Sequence, residues 1–180
     1  MSNIFVPELR PTRRDAEDDK LAERLGTRIH QLLGRSLHIR HLDAGSCNGC
    51  DWEIQTLLGP VYDMQRLGID IVASPRHADL LLTTGSVTRH LERAVLATYE
   101  AMPDPRIVVA VGACACGGGV LQGSYCTAGG LRNVLPVDVF IPGCPPRPQA
   151  LLHGLMVALG RLEPRLQRNQ ITAMLPNDER

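Results

Sequence analysis

Five apolar residues in a row, Ile107-Val108-Val109-Ala110-Val111, run straight into Gly112, and no other stretch constrains the chain as much. A strand with one wet face would alternate apolar and polar residues, so an unbroken run predicts burial on both faces. Sheets covered on both faces are parallel and carry helices on each side. The rest of the chain supplies matching pieces. Strands are expected at Ser36–Leu42, Ile69–Ala73, Asp79–Thr83 and Val137–Ile141, with helices at Asp51–Leu58, Thr88–Met102 and Gln149–Leu162. Strands alternating with helices predict an α/β fold, a doubly wound and mainly parallel sheet of flavodoxin-like form.

Ahead of the sheet, residues 15–34 carry Leu21, Ala22, Leu25, Ile29, Leu32 and Leu33 at helical spacing, an N-terminal amphipathic helix stopped by Gly34. Such a helix either covers the core or docks on another subunit or a membrane face. Residues 1–14, with two prolines and three arginines, are expected to be an extended arm, and residues 163–180 a C-terminal tail lying along another subunit. The domain proper is then 35–162. One domain is what 180 residues would ordinarily build.

Nineteen basic and nineteen acidic residues cancel, which leaves no electrostatic case for a nucleic-acid partner or an anionic membrane surface. The amino terminus carries no apolar block behind its charges, so a reducing compartment is expected and disulfides are not. The longest mostly apolar run, Ile107 to Leu121, is broken by glycines and is shorter than the roughly 20 residues that cross a bilayer.

In a parallel doubly wound sheet, sites form beyond the carboxyl ends of the strands. The cysteines sit there. Cys47 and Cys50 follow the first expected strand, Cys114 and Cys116 follow the central one, and Cys144 follows the last, while Cys126 lies in a connecting loop. Three chemistries compete for them. Structural zinc favours paired Cys-x2-Cys knuckles, and only Cys47/Cys50 has that form. A dithiol redox pair fits Cys47/Cys50 at a helix start but leaves Cys114 and Cys144 unused. A cubane iron-sulfur cluster accepts thiolates from distant loops, which suits Cys47, Cys50, Cys114 and Cys144. Reach alone does not choose between Cys114 and Cys116, because the path of the glycine-rich turn is not fixed by the sequence.

Four motifs in order, SCNGC at 46–50 with Glu53 after it, SPRHAD at 74–79, GACACGGG at 112–119 and PVDVFIPGCPP at 136–146, resemble the cluster-carrying small subunit of membrane-bound [NiFe] hydrogenases. The chain is similar in outline to the B-type subunit of respiratory complex I as well. The complex I subunit places its first two cysteines side by side. Cys47-Asn48-Gly49-Cys50 separates them, which is the hydrogenase arrangement and resembles the formate-hydrogenlyase-like group.

The resemblance implies one [4Fe-4S] cluster as cofactor, and its G-x-C-x-x-x-G-G motif selects Cys114 as the third ligand. It implies an electron-transfer subunit beside the active site of a large catalytic subunit, with a ferredoxin-like iron-sulfur subunit and integral membrane subunits as further partners. The expected location is the cytoplasmic side of the inner membrane, peripheral through those partners. A complex-I-like NADH:quinone oxidoreductase subunit is the alternative, and a zinc-stapled structural protein the alternative of another class.

Around the cluster, Gly112 and Gly143 are expected to bring backbone close to sulfur or simply to turn the chain. Arg76 would offset the charge of the reduced state or pair across an interface. The resemblance puts Glu53 by the cluster at the large-subunit contact, where it would serve proton traffic or act as an ordinary helix-face carboxylate near the dipole. His38 and His41, three apart on a strand, are expected on opposite faces as ordinary polar positions.

Overall fold

A computed structural model describes residues 13–174, with side chains described for 19–167. The chain begins with α1 (Arg13–Leu33), β1 (Leu37–Asp43) and α2 (Gly49–Leu58), followed by β2 (Ile69–Ile71) and β3 (Leu80–Thr84). It continues through α3 (Glu92–Glu100), β4 (Ile107–Val111), the short α4 (Gly112–Gly117), β5 (Val139–Ile141) and α5 (Pro148–Met174). All four strand pairings are parallel, in the order β2-β1-β3-β4-β5, the flavodoxin-like doubly wound arrangement.

The apolar run behaves as its composition demands. Every residue of β4 is buried, and every residue of β3 as well. Side chains alternate between the two faces: Leu80, Leu82, Ile107, Val109 and Val111 enter one core with α1, α2 and α5, while Leu81, Val108 and Ala110 enter a second with α3 and α4. Each fully buried aliphatic contributes about 1.5–3 kcal/mol relative to exposure, so a strand fed from both faces anchors the sheet.

The N-terminal helix covers the core. Leu25 and Ile29 are buried, and Gly26 lets α1 settle against the 3-10 turn at Met64–Leu67, where an added Cβ would stand 3.3 Å from the Leu67 carbonyl oxygen. The expected arm lies outside the described residues except for its last two, with which α1 begins.

Two expected boundaries move by more than two residues. The helix foreseen from Thr88 starts at Glu92, because Thr88 bridges to Thr127 and residues 88–91 form a turn. The last helix runs twelve residues beyond Leu162 and passes Pro164, so the tail foreseen from 163 is helical as far as Met174, and 175–180 lie outside the described residues. An interior proline costs about 3 kcal/mol. Here Pro164 is exposed, and contacts on both sides of it hold the helix: Leu162 is buried, Glu163 pairs with Arg28, Arg165 with Asp138, and Leu166 packs on the core.

Gly154 places α5 directly on β5, where an added Cβ would lie 2.2 Å from Ile141 Cδ1 and 2.6 Å from its Cγ1. Gly154→Ala is therefore expected to destabilise the fold by about 1–3 kcal/mol despite its gain in helix propensity, read as a lower midpoint in denaturant unfolding.

Candidate metal centre

At the carboxyl edge of the sheet the backbones after β1 and β3 touch. A Cβ on Gly85 would stand 2.6 Å from the Gly45 carbonyl carbon, and Ala44 N–H donates to Thr84 O at 2.8 Å. A nucleotide in this architecture would sit in the crevice between those two strands. That crevice is closed by backbone, and the loops above it carry the sulfur.

Three loops meet there. Asp43 Oδ1 accepts from the N–H groups of Gly45 and Ser46 and folds the first loop back. Asn48, in the left-handed region at φ 65°, then opens α2, with Cys50 in its first turn. The second loop is α4, carrying Cys114, and the third carries Cys144 after β5. Ala113 N–H donates to Gly143 O at 2.7 Å and joins the second loop to the third.

The sulfurs respond to one another. The Cys50 thiol is pushed up from 9.0 to about 12, first by burial, then by the negative charges of Asp51, Cys114, Cys47 and Cys144. Cys114 is raised by burial and by Cys144 and Cys47, and lowered by the Val120 N–H that it accepts. Cys47, Cys50, Cys114 and Cys144 thus form one electrostatic group. Cys116 is outside it: its thiol, raised by burial, reaches the carbonyl oxygens of Ala110 and Ile141 at 3.7 Å. Two residues apart on a helix is a turn of about 200°, so Cys114 and Cys116 face opposite ways. Cys126 is exposed, with its sulfur 3.0 Å from Ser124 Oγ.

Glycine at 112 is dictated by sulfur as well as by its φ of 86°, since a Cβ there would lie 2.5 Å from Cys50 Sγ. At Gly143 the constraint is the turn itself, where a Cβ would meet Pro146 Cα at 2.5 Å. Three glycines, Gly117–Gly119, close the GACACGGG motif. Within it Gly119 alone presses on sulfur, 2.7 Å from its virtual Cβ to Cys114 Sγ.

The profile of the family described as "NADH ubiquinone oxidoreductase, 20 Kd subunit" matches residues 47–158. The chain belongs to that family. It is 52% identical over 143 residues to a probable membrane-bound hydrogenase subunit of Pyrococcus furiosus, covering 78% of this chain and 86% of that one. It is 48% identical over 174 residues to formate hydrogenlyase subunit 7 of Escherichia coli, covering 92% of this chain but 66% of the longer relative. Among solved structures, a chain of an archaeal membrane-bound sulfane sulfur reductase complex superposes with a TM-score of 0.63 at 32% identity, covering 87% of this chain and 92% of that one. This 20 Kd-subunit family is one of oxidoreductase subunits, and its match begins at Cys47 and spans all four grouped cysteines.

Two expected site residues stand differently in this family member. Glu53 lies one helical turn after Cys50 on α2, half-buried, with no hydrogen bond or ion pair among the described residues. Arg76 is not brought to the sulfurs. It is exposed on the link from β2 to β3, and both Ile71 and Leu80 register with Ile39, four residues short of the end of β1. At roughly 3.3 Å per residue the two ends of that link lie about 13 Å below the edge.

His38 and His41 diverge as expected, but His41 is not an ordinary strand position. Its Nε2 lies 2.8 Å from Asp51 Oδ1, a pairing that the sequence reading missed because the two residues are brought together by the β1–α2 loop. Among the described residues no helix is long and apolar enough to cross a membrane.

The raised thiol has a consequence for protein stripped of metal by chelation. Above about pH 9 the unfolded chain has released the Cys50 proton while the folded chain keeps it until about 12. The folded state then binds more protons, so stability falls as pH rises through that window. Denaturant titrations of the stripped protein are expected to show this fall, and to show less of it in Cys50→Ala.

Proposed function

We propose that the chain holds one [4Fe-4S] cluster on Cys47, Cys50, Cys114 and Cys144 and serves as the electron-transfer subunit of a membrane-bound hydrogenase-type complex. The carrying observation is the single electrostatic group formed by four thiols from three loops, with both Cys116 and Cys126 outside it. Four thiolates so placed repel one another, and a cationic iron-sulfur core relieves that repulsion. Close backbone at Gly112 and Gly119 and the Val120 N–H to Cys114 suit a sulfur-rich group that needs donors without side-chain bulk.

When bound, the cluster would take up and release one electron at a time. The chain's own residues shape who can collect it. Trp52, Val120 and Tyr125 are 66%, 92% and 96% exposed on the segments that carry or follow Cys50 and Cys114. Large apolar side chains standing out beside a half-open redox site suit a covering partner, here the large catalytic subunit, with Glu53 at the rim. A ferredoxin-like subunit would exchange the electrons, and integral membrane subunits would hold the assembly on the cytoplasmic face of the inner membrane.

Identity to the hydrogenase and formate hydrogenlyase relatives, with the Cys-x2-Cys spacing, supports the hydrogenase-type assignment. The family description favours a second reading, a quinone-reducing complex of the complex I type. Two Cys-x2-Cys pairs in the large partner would select the first.

Anaerobically purified protein is expected to be brown, with about four iron atoms per chain and a paramagnetic signal on reduction; colourless protein with zinc would sink the proposal. Serine at Cys47, Cys50, Cys114 or Cys144 is expected to remove the visible absorption or leave a three-iron signal. Cys116→Ser and Cys126→Ser should keep it.

A further inference from the structure

We propose that Asp51 is a potential-setting residue: its carboxylate, fixed by His41, Ser46 and Thr84 next to Cys50, holds a negative charge that makes the cluster harder to reduce. This rests on the reading that the four cysteines bind a cluster.

Asp51 is the third residue of α2, the position from which an acidic side chain ordinarily reaches back to the N-cap or lies along the dipole in water. It does neither. Its side chain is 14% exposed and turns onto the sheet, where Oδ1 accepts from Thr84 Oγ1 at 2.8 Å and lies 2.8 Å from His41 Nε2, while Oδ2 accepts from Ser46 Oγ. Ser46 Oγ in turn accepts from the N–H of Asn48 at 3.0 Å, the residue between Cys47 and Gly49. One carboxylate therefore ties the Cys47–Cys50 loop to the ends of β1 and β3. Helix formation alone does not ask for this, since Asn48 caps α2 without any side-chain hydrogen bond.

A half-sheltered anion covalently adjacent to a cluster ligand acts in a region of reduced dielectric, where its charge is weakly screened. Adding an electron to the cluster places more negative charge beside it, so the carboxylate disfavours the reduced form. The Thr84 and Ser46 hydroxyls moderate that field by donating to the carboxylate.

The test is a redox titration of the cluster in the purified complex, followed by electron paramagnetic resonance, with iron content measured on the same samples. Asp51→Asn keeps the shape and one acceptor oxygen but removes the charge. It is expected to favour the reduced form at least tenfold, an upward shift of about 59 mV for one electron. Thr84→Val keeps the shape of a buried strand residue and removes one donor, so the less moderated carboxylate should shift the midpoint down.

An Asp51→Asn complex that keeps its iron with an unchanged or lowered midpoint overturns the proposal. If Asp51→Asn loses its iron, Thr84→Val decides: a lowered midpoint supports the proposal and an unchanged or raised one overturns it. Loss of iron in both variants also overturns it, since the network would then only build the loop. Failure of the underlying reading looks different, because the unaltered complex would itself lack any signal that the four cysteine substitutions remove.

Discussion

Four thiols within electrostatic reach of one another cannot all be anions unless positive charge sits among them. Burial and then neighbouring negative charge, Asp51 and the other sulfurs for Cys50 and the sulfurs of Cys144 and Cys47 for Cys114, push both thiols up. The proposed metal-sulfur core would convert that repulsion into binding energy, and the architecture keeps the loops that carry the four sulfurs in place. The parallel sheet sends the ends of β1, β4 and β5 to one edge. The hydrogen bond from Ala113 to Gly143 then joins two of the loops, and the touching backbones of Gly45 and Gly85 seal the crevice beneath the first.

The fold and the site are coupled through close approach. β3 and β4 are wholly buried, so their register is held by packing on both faces, and the loops they launch inherit that precision. Where sulfur meets backbone there is no room for a side chain, as at Gly112 and Gly119. On the outer side the same loops carry exposed Trp52, Val120 and Tyr125, a surface suited to a partner. The grouped sulfurs beside that surface are themselves open, Cys47 and Cys144 exposed and Cys50 and Cys114 half-buried, so a covering partner would also exclude water from them.

Much of this was legible in the sequence. The apolar run at 107–111 gave a two-sided strand, and the strand–helix alternation gave the doubly wound sheet whose order the structure shows. The cysteines after three strands pointed to one edge because parallel strands end together. Less legible were features that depend on long-range contacts. Pro164 looked like a boundary, yet Arg28–Glu163 and Arg165–Asp138 carry α5 past it. Arg76 looked like a cation for the cluster, yet the register leaves it well below the edge. His41 and Asp51 looked unrelated, being ten positions apart on different elements.

By itself the sequence determined the layer architecture, the strands that are buried and the edge at which the sulfurs gather, because burial pattern and chain direction are local properties. Tertiary structure decided which sulfur of Cys114 and Cys116 faces the group, how the loops are tied, and what lies against Cys50. The reason is physical: a six-residue helix at 112–117, fixed by contacts with β4, β5 and the Gly143 loop, turns one cysteine out to the edge and the other back onto strand carbonyls. No local preference of a glycine-rich segment specifies that rotation.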